Sequence, residues 1–430
     1  MKLQGFSEYN DLYQWSINDR ESFWEALSIF CNVKFSSEPK DILRAGKSMI
    51  EDKWFHGAKL NFAEHLLRYK GNRAAIIFKG EQGRREEISF DELKFQVASV
   101  ASQLRKLGLK ENDCVAAFLP NCPEAIIAML ACSSMGIIWS SCSPDFGLEG
   151  VVERFGQINP KLLISCDGYF YNGKEINTTH VTKKIVSHIE SIKNTLIVPF
   201  LETDSKNTLK DTICWSNLIK DKAEIKFEAL PFDHPLYILY SSGTTGSPKC
   251  IVHGAGGTLL QHLKEHVLHY DINDQDRLFY FTTCGWMMWN WMISGLSAGA
   301  TLVIYDGSPF YDNGNILWDL AESEKITVFG VSAKYLSAQE KAGVKPKKNY
   351  DLSSIKTVLS TGSPLAPESF DYVYREIKND VQLSSVSGGT DIISCFVSGN
   401  PILPVRRGEL QCMGLGMAVK IFDDDGLSIT

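Results

Sequence analysis

The sequence has no run of residues that is apolar and long enough to span a bilayer, so it predicts no membrane-crossing helix. Its start, MKLQGFSEYNDLYQWS, lacks the basic segment followed by an apolar one that marks a secretory leader. There is no basic stripe, and the formal net charge of −7 has the wrong sign for non-specific binding to phosphate backbones, which argues against a nucleic-acid partner. The 11 cysteines stand singly, without CxxC pairs, which argues against zinc sites and disulfide frameworks and for free thiols in a reducing compartment. These absences together predict a cytoplasmic (cytosolic) location. Internal repeats, low-complexity tracts and Pro-, Gly- or Ser-rich linkers are also missing, so the parts of the chain must pack closely.

What is present fits a globular enzyme: 44% hydrophobic and 22% charged residues. At 430 residues the chain exceeds the size at which one core stops growing, so two or more lobes are expected, with an interface suited to an active site. DRESFWEALSIF opens with an Asp start signal and has helical apolar spacing; FDELKFQVASVASQLRKLGL is a longer amphipathic helix stopped by Gly108. DCVAAFLP reads as a buried strand, CPEAIIAMLACSSMG as a helix and IIWSSCSP as the next strand. Further strands are expected at PKLLISCD, NTLIVPF, PLYILYSS, ATLVIYDG, ITVFGVS and IKTVLSTG. That alternation predicts an α/β fold with parallel sheets, and the Ser, Gly and Asp at the strand ends suit ligands bound beyond carboxyl ends. Around PILPVRRGELQCMGLGMAVKIFDDDG the pattern gives way to short strands and turns, which predicts a small barrel-like sheet.

The stretch LYILYSSGTTGSPKCIVHG joins a buried strand to a loop of small hydroxyl residues, glycines and one lysine. Backbone amides, hydroxyl donors and one fixed positive charge suit a polyphosphate. It is not a Walker A loop, because Ser247 and Pro248 separate Gly246 from Lys249. YSSGTTGSPK resembles the phosphate-binding signature of the adenylate-forming superfamily, which includes acyl-CoA synthetases, luciferases and peptide-synthetase adenylation domains. The resemblance implies that Ser241, Ser242, Gly243, Thr244, Thr245, Gly246 and Lys249 hold the β- and γ-phosphates of ATP. An acid carboxylate then attacks the α-phosphorus, forming an acyl adenylate and releasing pyrophosphate.

Two further stretches match in order and approximate spacing. LSTGSPLAP, with Thr361, Gly362, Ser363 and Pro364, resembles the segment flanking the adenine ring. SVSGGTDI, with Gly389, Thr390 and Asp391, resembles the segment whose Thr touches the α-phosphate and whose acidic residue holds magnesium. The family more often has Glu beside that Thr, so Asp391 has a shorter reach, yet remains a hard oxygen ligand suited to Mg²⁺. Thr245, Lys249, Thr390 and Asp391 are thus the implied catalytic residues, offsetting negative charge as carboxylate approaches phosphate.

WSINDRESFWEAL and WFHGAKLNFAEHLL resemble the N-terminal extension of short-chain acyl-CoA synthetases, with Trp54, Leu60, Asn61 and Phe62 matching. Acetate-specific members place a bulky Trp two residues before the Thr of the magnesium motif; Gly388 stands there, which implies space for a longer acid. CGWMMWNWMISG, through Trp286, Met287 and Trp289, and FGVSAKY, through Val331 and Ser332, are the expected pocket walls. In combination these stretches resemble the acetoacetate-activating branch of the group, which implies acetoacetate, ATP and CoA as substrates. Butyrate or another short-chain acid is the alternative, as is a fragment that binds nucleotide or acid without catalysis.

The expected organisation is an N-terminal wrap over residues 1–70, an adenylate-forming α/β core over 71–395 and a partial β subdomain over 396–430. The family's ribose-binding Asp, hinge and Lys-bearing C-terminal lid are expected to lie beyond Thr430, so the chain reads as a truncated form with reduced or no full activity. Asp423, Asp424 and Asp425 read as a hairpin turn. His262 and His266 have the four-residue spacing of a helical metal pair, but no HExxH pattern accompanies them, and no metal site is expected among His253, His262, His266 and His269. EKAGVKPKKNYD reads as a solvated loop, and neither Cys250 nor Cys284 is assigned a nucleophilic role.

Overall fold

In a computed structural model, the structure describes residues 4–201, 212–219, 223–241 and 246–429. The described residues form two seven-stranded sheets of the same plan, each with six parallel strands and one antiparallel edge strand. The first runs in the order Thr212–Cys214, Asn194–Val198, Leu162–Cys166, Cys114–Phe118, Ile138–Cys142, Pro235–Ser241 and Lys249–Gly254. The second runs Gln382–Ser385, Thr357–Thr361, Val328–Ser332, Arg277–Tyr280, Thr301–Asp306, Ala74–Gly80 and Arg85–Ser89. The parallel α/β expectation holds.

Period-two alternation decides which core each side chain joins. Ile76, Phe78, Leu278, Leu302, Ile304, Val328 and Leu359 of the second sheet share one core with Val115, Ala117, Leu162 and Ile164 of the first. Their strand neighbours Ile77, Phe279, Val303, Phe329, Val331 and Val358 face a separate outer core. The helix Pro123–Ser134 lies in the shared core and is buried from Pro123 through Ser134, Glu124 apart. Its sequence is apolar on all sides, as a helix covered all round requires.

The helix Phe90–Lys106 starts on a capping box in which the Ser89 side chain accepts from the Glu92 amide and the Glu92 carboxylate accepts from the Ser89 amide. Gly108, at φ +82°, follows its end as expected. The helices Tyr9–Asn18 and Arg20–Phe30 reach across to the far end of the chain: the Tyr13 hydroxyl donates to Met417 O at 3.0 Å, and the Gly416 amide donates to Ser16 Oγ at 2.9 Å. Asn61 caps the helix Phe62–Leu66, and its Nδ2 donates to the carbonyls of Ser134 and Glu228 at 3.1 and 3.0 Å.

Past residue 386 the described residues form a three-stranded antiparallel sheet, Ser387–Gly389, Ser394–Ser398 and Cys412–Met413, and a separate hairpin, Ile421–Phe422 with Ser428–Ile429. Asp423 Oδ1 closes that hairpin by accepting from the amides of Asp425 and Leu427, at 3.1 and 2.8 Å. No helix among the described residues is long and apolar enough to cross a membrane.

Candidate active site

A cavity of about 440 Å³ opens where the strands Thr357–Thr361 and Gln382–Ser385 end, at the carboxyl edge of the second sheet. Thr361, Gly362, Ser363 and Pro364 form part of its wall, and Gly388, Gly389 and Thr390 form another part. The Thr361 hydroxyl donates to Val386 O at 2.7 Å and ties the two segments together. Gly362 adopts φ +90°, a conformation that only glycine takes at low cost, so the chain can turn sharply off its strand here. Trp286 and Met287 also line it, at the start of the helix Met287–Ile293.

The glycine-rich loop joins the antiparallel strands Pro235–Ser241 and Lys249–Gly254, with Ser241 paired to Lys249. It is therefore a connection between antiparallel strands and not a strand-to-helix turn. Ser242, Gly243, Thr244 and Thr245 lie outside the described residues. Gly246, at φ +133°, and Lys249 are exposed, and neither forms the cavity wall.

Two histidines fix the turn that carries Asp391. His253, on the second strand of the hairpin, donates from Nε2 to Thr390 O at 2.8 Å. His262 donates from Nε2 to Ile393 O at 2.7 Å, with its Nδ1 2.7 Å from Ser294 Oγ. Burial lowers the pKa of both, His262 to about 4, so the His262 ring is neutral. Between these anchors Asp391 is exposed on a short turn, Thr390–Ile392. His266 and His269 serve the same kind of purpose, meeting Trp291 O at 2.9 Å and Gly399 O at 2.8 Å. No group of three or more His, Cys, Asp or Glu side chains among the described residues is arranged to hold a metal ion.

Three expected pocket residues are placed elsewhere. Trp289 is fully buried, stacks on Trp139 at 6.5 Å and donates from Nε1 to Asn121 Oδ1 at 3.0 Å. Val331 projects to the outer core, opposite to Val328, because one step along a strand reverses the face. Ser332 caps the helix Ala333–Lys341 by accepting from the Tyr335 amide at 3.1 Å. Gly388 lies on the cavity wall, but a Cβ there would collide with Ser394 O and come within 2.6 Å of Cys395 Cα. Its lack of a side chain answers first to the close approach of the neighbouring strand.

Sequence reasoning missed Glu265, Tyr270, Trp291 and Ser394, which also line the cavity. The available signal was the Lys264–Glu265 pair, two charges directly following the apolar helix Ala255–Leu263. There the helix widens into a π-type turn, Lys264–His269, a distortion that often marks sites. All 11 cysteines are free thiols. Cys284 is buried and its thiol is pushed well above the ordinary value by that burial.

The AMP-binding enzyme family profile matches residues 62–429, nearly the whole of both sheets and the small one. The chain belongs to the AMP-binding enzyme family. A second profile, acetyl-coenzyme A synthetase N-terminus, matches residues 9–66, the two N-terminal helices and the segment leading to Leu66. Relatives of this AMP-binding enzyme include the acetoacetyl-coenzyme A synthetase of Rhizobium meliloti (strain 1021), 51% identical over 98% of this chain and 65% of that protein. The acetoacetyl-CoA synthetase of Mus musculus is 45% identical over 98% of this chain and 64% of that protein. A solved structure of the acetoacetyl-CoA synthetase from Streptomyces lividans superposes with TM-score 0.95 at 42% identity, covering 99% of this chain and 66% of that one. The chain thus spans about 65% of the length of the curated relatives it matches.

Proposed function

We propose that the cavity is the adenylation site of an acid–thiol ligase that converts acetoacetate, ATP and CoA to acetoacetyl-CoA, AMP and pyrophosphate. The observation that carries this reading is the joining of Thr361–Pro364 and Gly388–Thr390 on one cavity wall, next to the turn that presents Asp391. The names of the relatives support acetoacetate as the acid.

In this mechanism the loop from Ser241 to Lys249 holds the β- and γ-phosphates, with Ser242, Gly243, Thr244, Thr245 and Gly246 as donors. Thr361, Gly362, Ser363 and Pro364 flank the adenine, and Thr390 meets the α-phosphate. The acid carboxylate attacks the α-phosphorus, pyrophosphate leaves, and the CoA thiol then displaces AMP while losing its proton. Asp391 fits the magnesium role: it is one exposed carboxylate, and Mg²⁺ is commonly held by one or two carboxylates plus waters and substrate phosphates. When bound, the ion offsets phosphate charge. Lys249 supplies a fixed positive charge to the same end. Trp286 and Met287 bound the acid. The 11 free thiols support a cytosolic setting.

Pyrophosphate exchange dependent on added acid tests the proposal, with acetate, butyrate, acetoacetate and a long-chain acid compared. Acetoacetate should give the highest rate, and Lys249→Ala should lower it at least a hundredfold while the thermal midpoint stays put. Equal or better exchange with acetate overturns the choice of acid.

A further inference from the structure

The cavity wall contains a charge that the adenylation chemistry does not use. Glu265 is 2% exposed and Lys264 is 0% exposed, with Lys264 Nζ 3.6 Å from Glu265 Oε1. Lys264 Nζ has no hydrogen-bond acceptor and is not on the cavity wall, whereas Glu265 is. The pair is therefore oriented, with its negative member on the cavity side.

The donors around Glu265 are already committed to it. Trp291 Nε1 donates to Oε2 at 2.7 Å; the Ser394 hydroxyl and Gln261 Nε2, the latter at 3.3 Å, donate to Oε1. The Tyr270 hydroxyl, on the same wall, is engaged with Ser398 Oγ at 2.6 Å. Burial on its own would raise the Glu265 pKa, but Lys264 and the Ser394 hydroxyl hold it below the ordinary carboxylate value. This part of the wall thus offers an incoming group a fixed acceptor and has its donors spent.

We propose that Glu265 is a specificity-determining residue that rejects acids carrying a second negative charge, so that a neutral polar tail is accepted and a dicarboxylate is not. The proposal rests on the reading of the cavity as the acid site. Acetoacetate and malonate have nearly the same shape, a methyl group in one standing where the other has a carboxylate oxygen. Shape alone discriminates poorly between such isosteres, whereas a like charge in a pocket shielded from water discriminates strongly.

The test compares acetoacetate, malonate and malonamate, the monoanion in which an uncharged amide replaces one carboxylate of malonate. Binding of each is measured by calorimetry to the full chain with an ATP analogue carrying a methylene bridge between its α- and β-phosphorus atoms. In the wild type, malonamate should bind within about fivefold of acetoacetate and malonate at least tenfold more weakly than malonamate. Glu265→Gln should close the malonate gap to about threefold. Because that variant leaves Lys264 buried without its partner, a costly arrangement, the paired variant Lys264→Met with Glu265→Gln should close it as well. Equal binding of malonate and malonamate by the wild type overturns the proposal, as does a gap that persists in folded variants. If none of the three acids binds to folded wild-type protein, the acid-site reading itself fails.

Discussion

Gly388 and Ser394 lie so close that the Cβ direction of Gly388 ends on the Ser394 carbonyl oxygen. The two belong to paired antiparallel strands, with Gly388 opposite Cys395. Any side chain at 388 must push the strand Ser394–Ser398 away, and that strand carries Ser394 and Cys395 into the cavity wall. Gly388→Ala should therefore cost about 1–3 kcal/mol in urea unfolding, as overpacking does. Acid binding should weaken along with it. A change under about 0.5 kcal/mol, the size usual for surface sites, would sink this account.

Two tryptophans three residues apart should separate stability from binding. Trp289→Ala removes a fully buried ring and its bond to Asn121, and should destabilise by about 3–5 kcal/mol. Trp286 is 59% exposed and lies on the cavity, so Trp286→Ala should change stability by under about 0.5 kcal/mol while altering acid affinity. Unfolding curves and acid titrations on both variants check this. The reverse assignment of effects would show that the cavity has been misplaced.

His253 is a positioning residue for the Thr390–Asp391 turn. Its ring donates to Thr390 O, so His253→Ala frees the turn at the cost of one hydrogen bond, about 1 kcal/mol. Acid-dependent pyrophosphate exchange should fall about tenfold or more. The loss should appear in the maximal rate and in the magnesium requirement, and His253→Gln should recover part of it. A merely structural His253 would instead lower stability and leave the magnesium dependence unchanged.

The repeated strand pattern made both sheets legible, because a buried parallel strand leaves a short apolar run with a small residue at its end, as in IKTVLSTG. The two segments brought together on the cavity, at Thr361–Pro364 and Gly388–Thr390, were legible for the same reason: each is local in sequence and follows a strand. That Val331 and Trp289 lie off the cavity wall was not legible, because a side chain's face depends on strand phase and on neighbours distant in sequence. Glu265 was missed because its partners, Trp291 and Ser394, are 26 and 129 residues away. The sequence argued against a metal site at His262 and His266 but did not show what the rings do; the carbonyls they meet, contributed by other segments, show that they fasten loops.

Those histidines also set the response to acid. Burial lowers His65, His262 and His269 from 6.5 to about 4 and His266 to about 3. They are neutral in the fold, while in the unfolded chain they bind protons as pH falls below 6.5. The unfolded state then holds more protons than the native one, so stability is lost as pH drops from about 6.5 towards 4. Between pH 7 and pH 5 each contributes a loss of about 2 kcal/mol. Asp306 works in the opposite sense, since burial raises its pKa from 3.8 to about 7. It is about half protonated in the fold at pH 7 and almost fully so at pH 5, while in the unfolded chain it stays ionised, so acidification restores about 2 kcal/mol, roughly one histidine's worth. The net expectation is a loss of several kcal/mol at pH 5, read from urea midpoints at the two pH values. His262→Asn should flatten the dependence by about one histidine's share. Equal stability at pH 5 and pH 7 in the wild type would mean that these rings are protonated inside the fold or exposed to solvent.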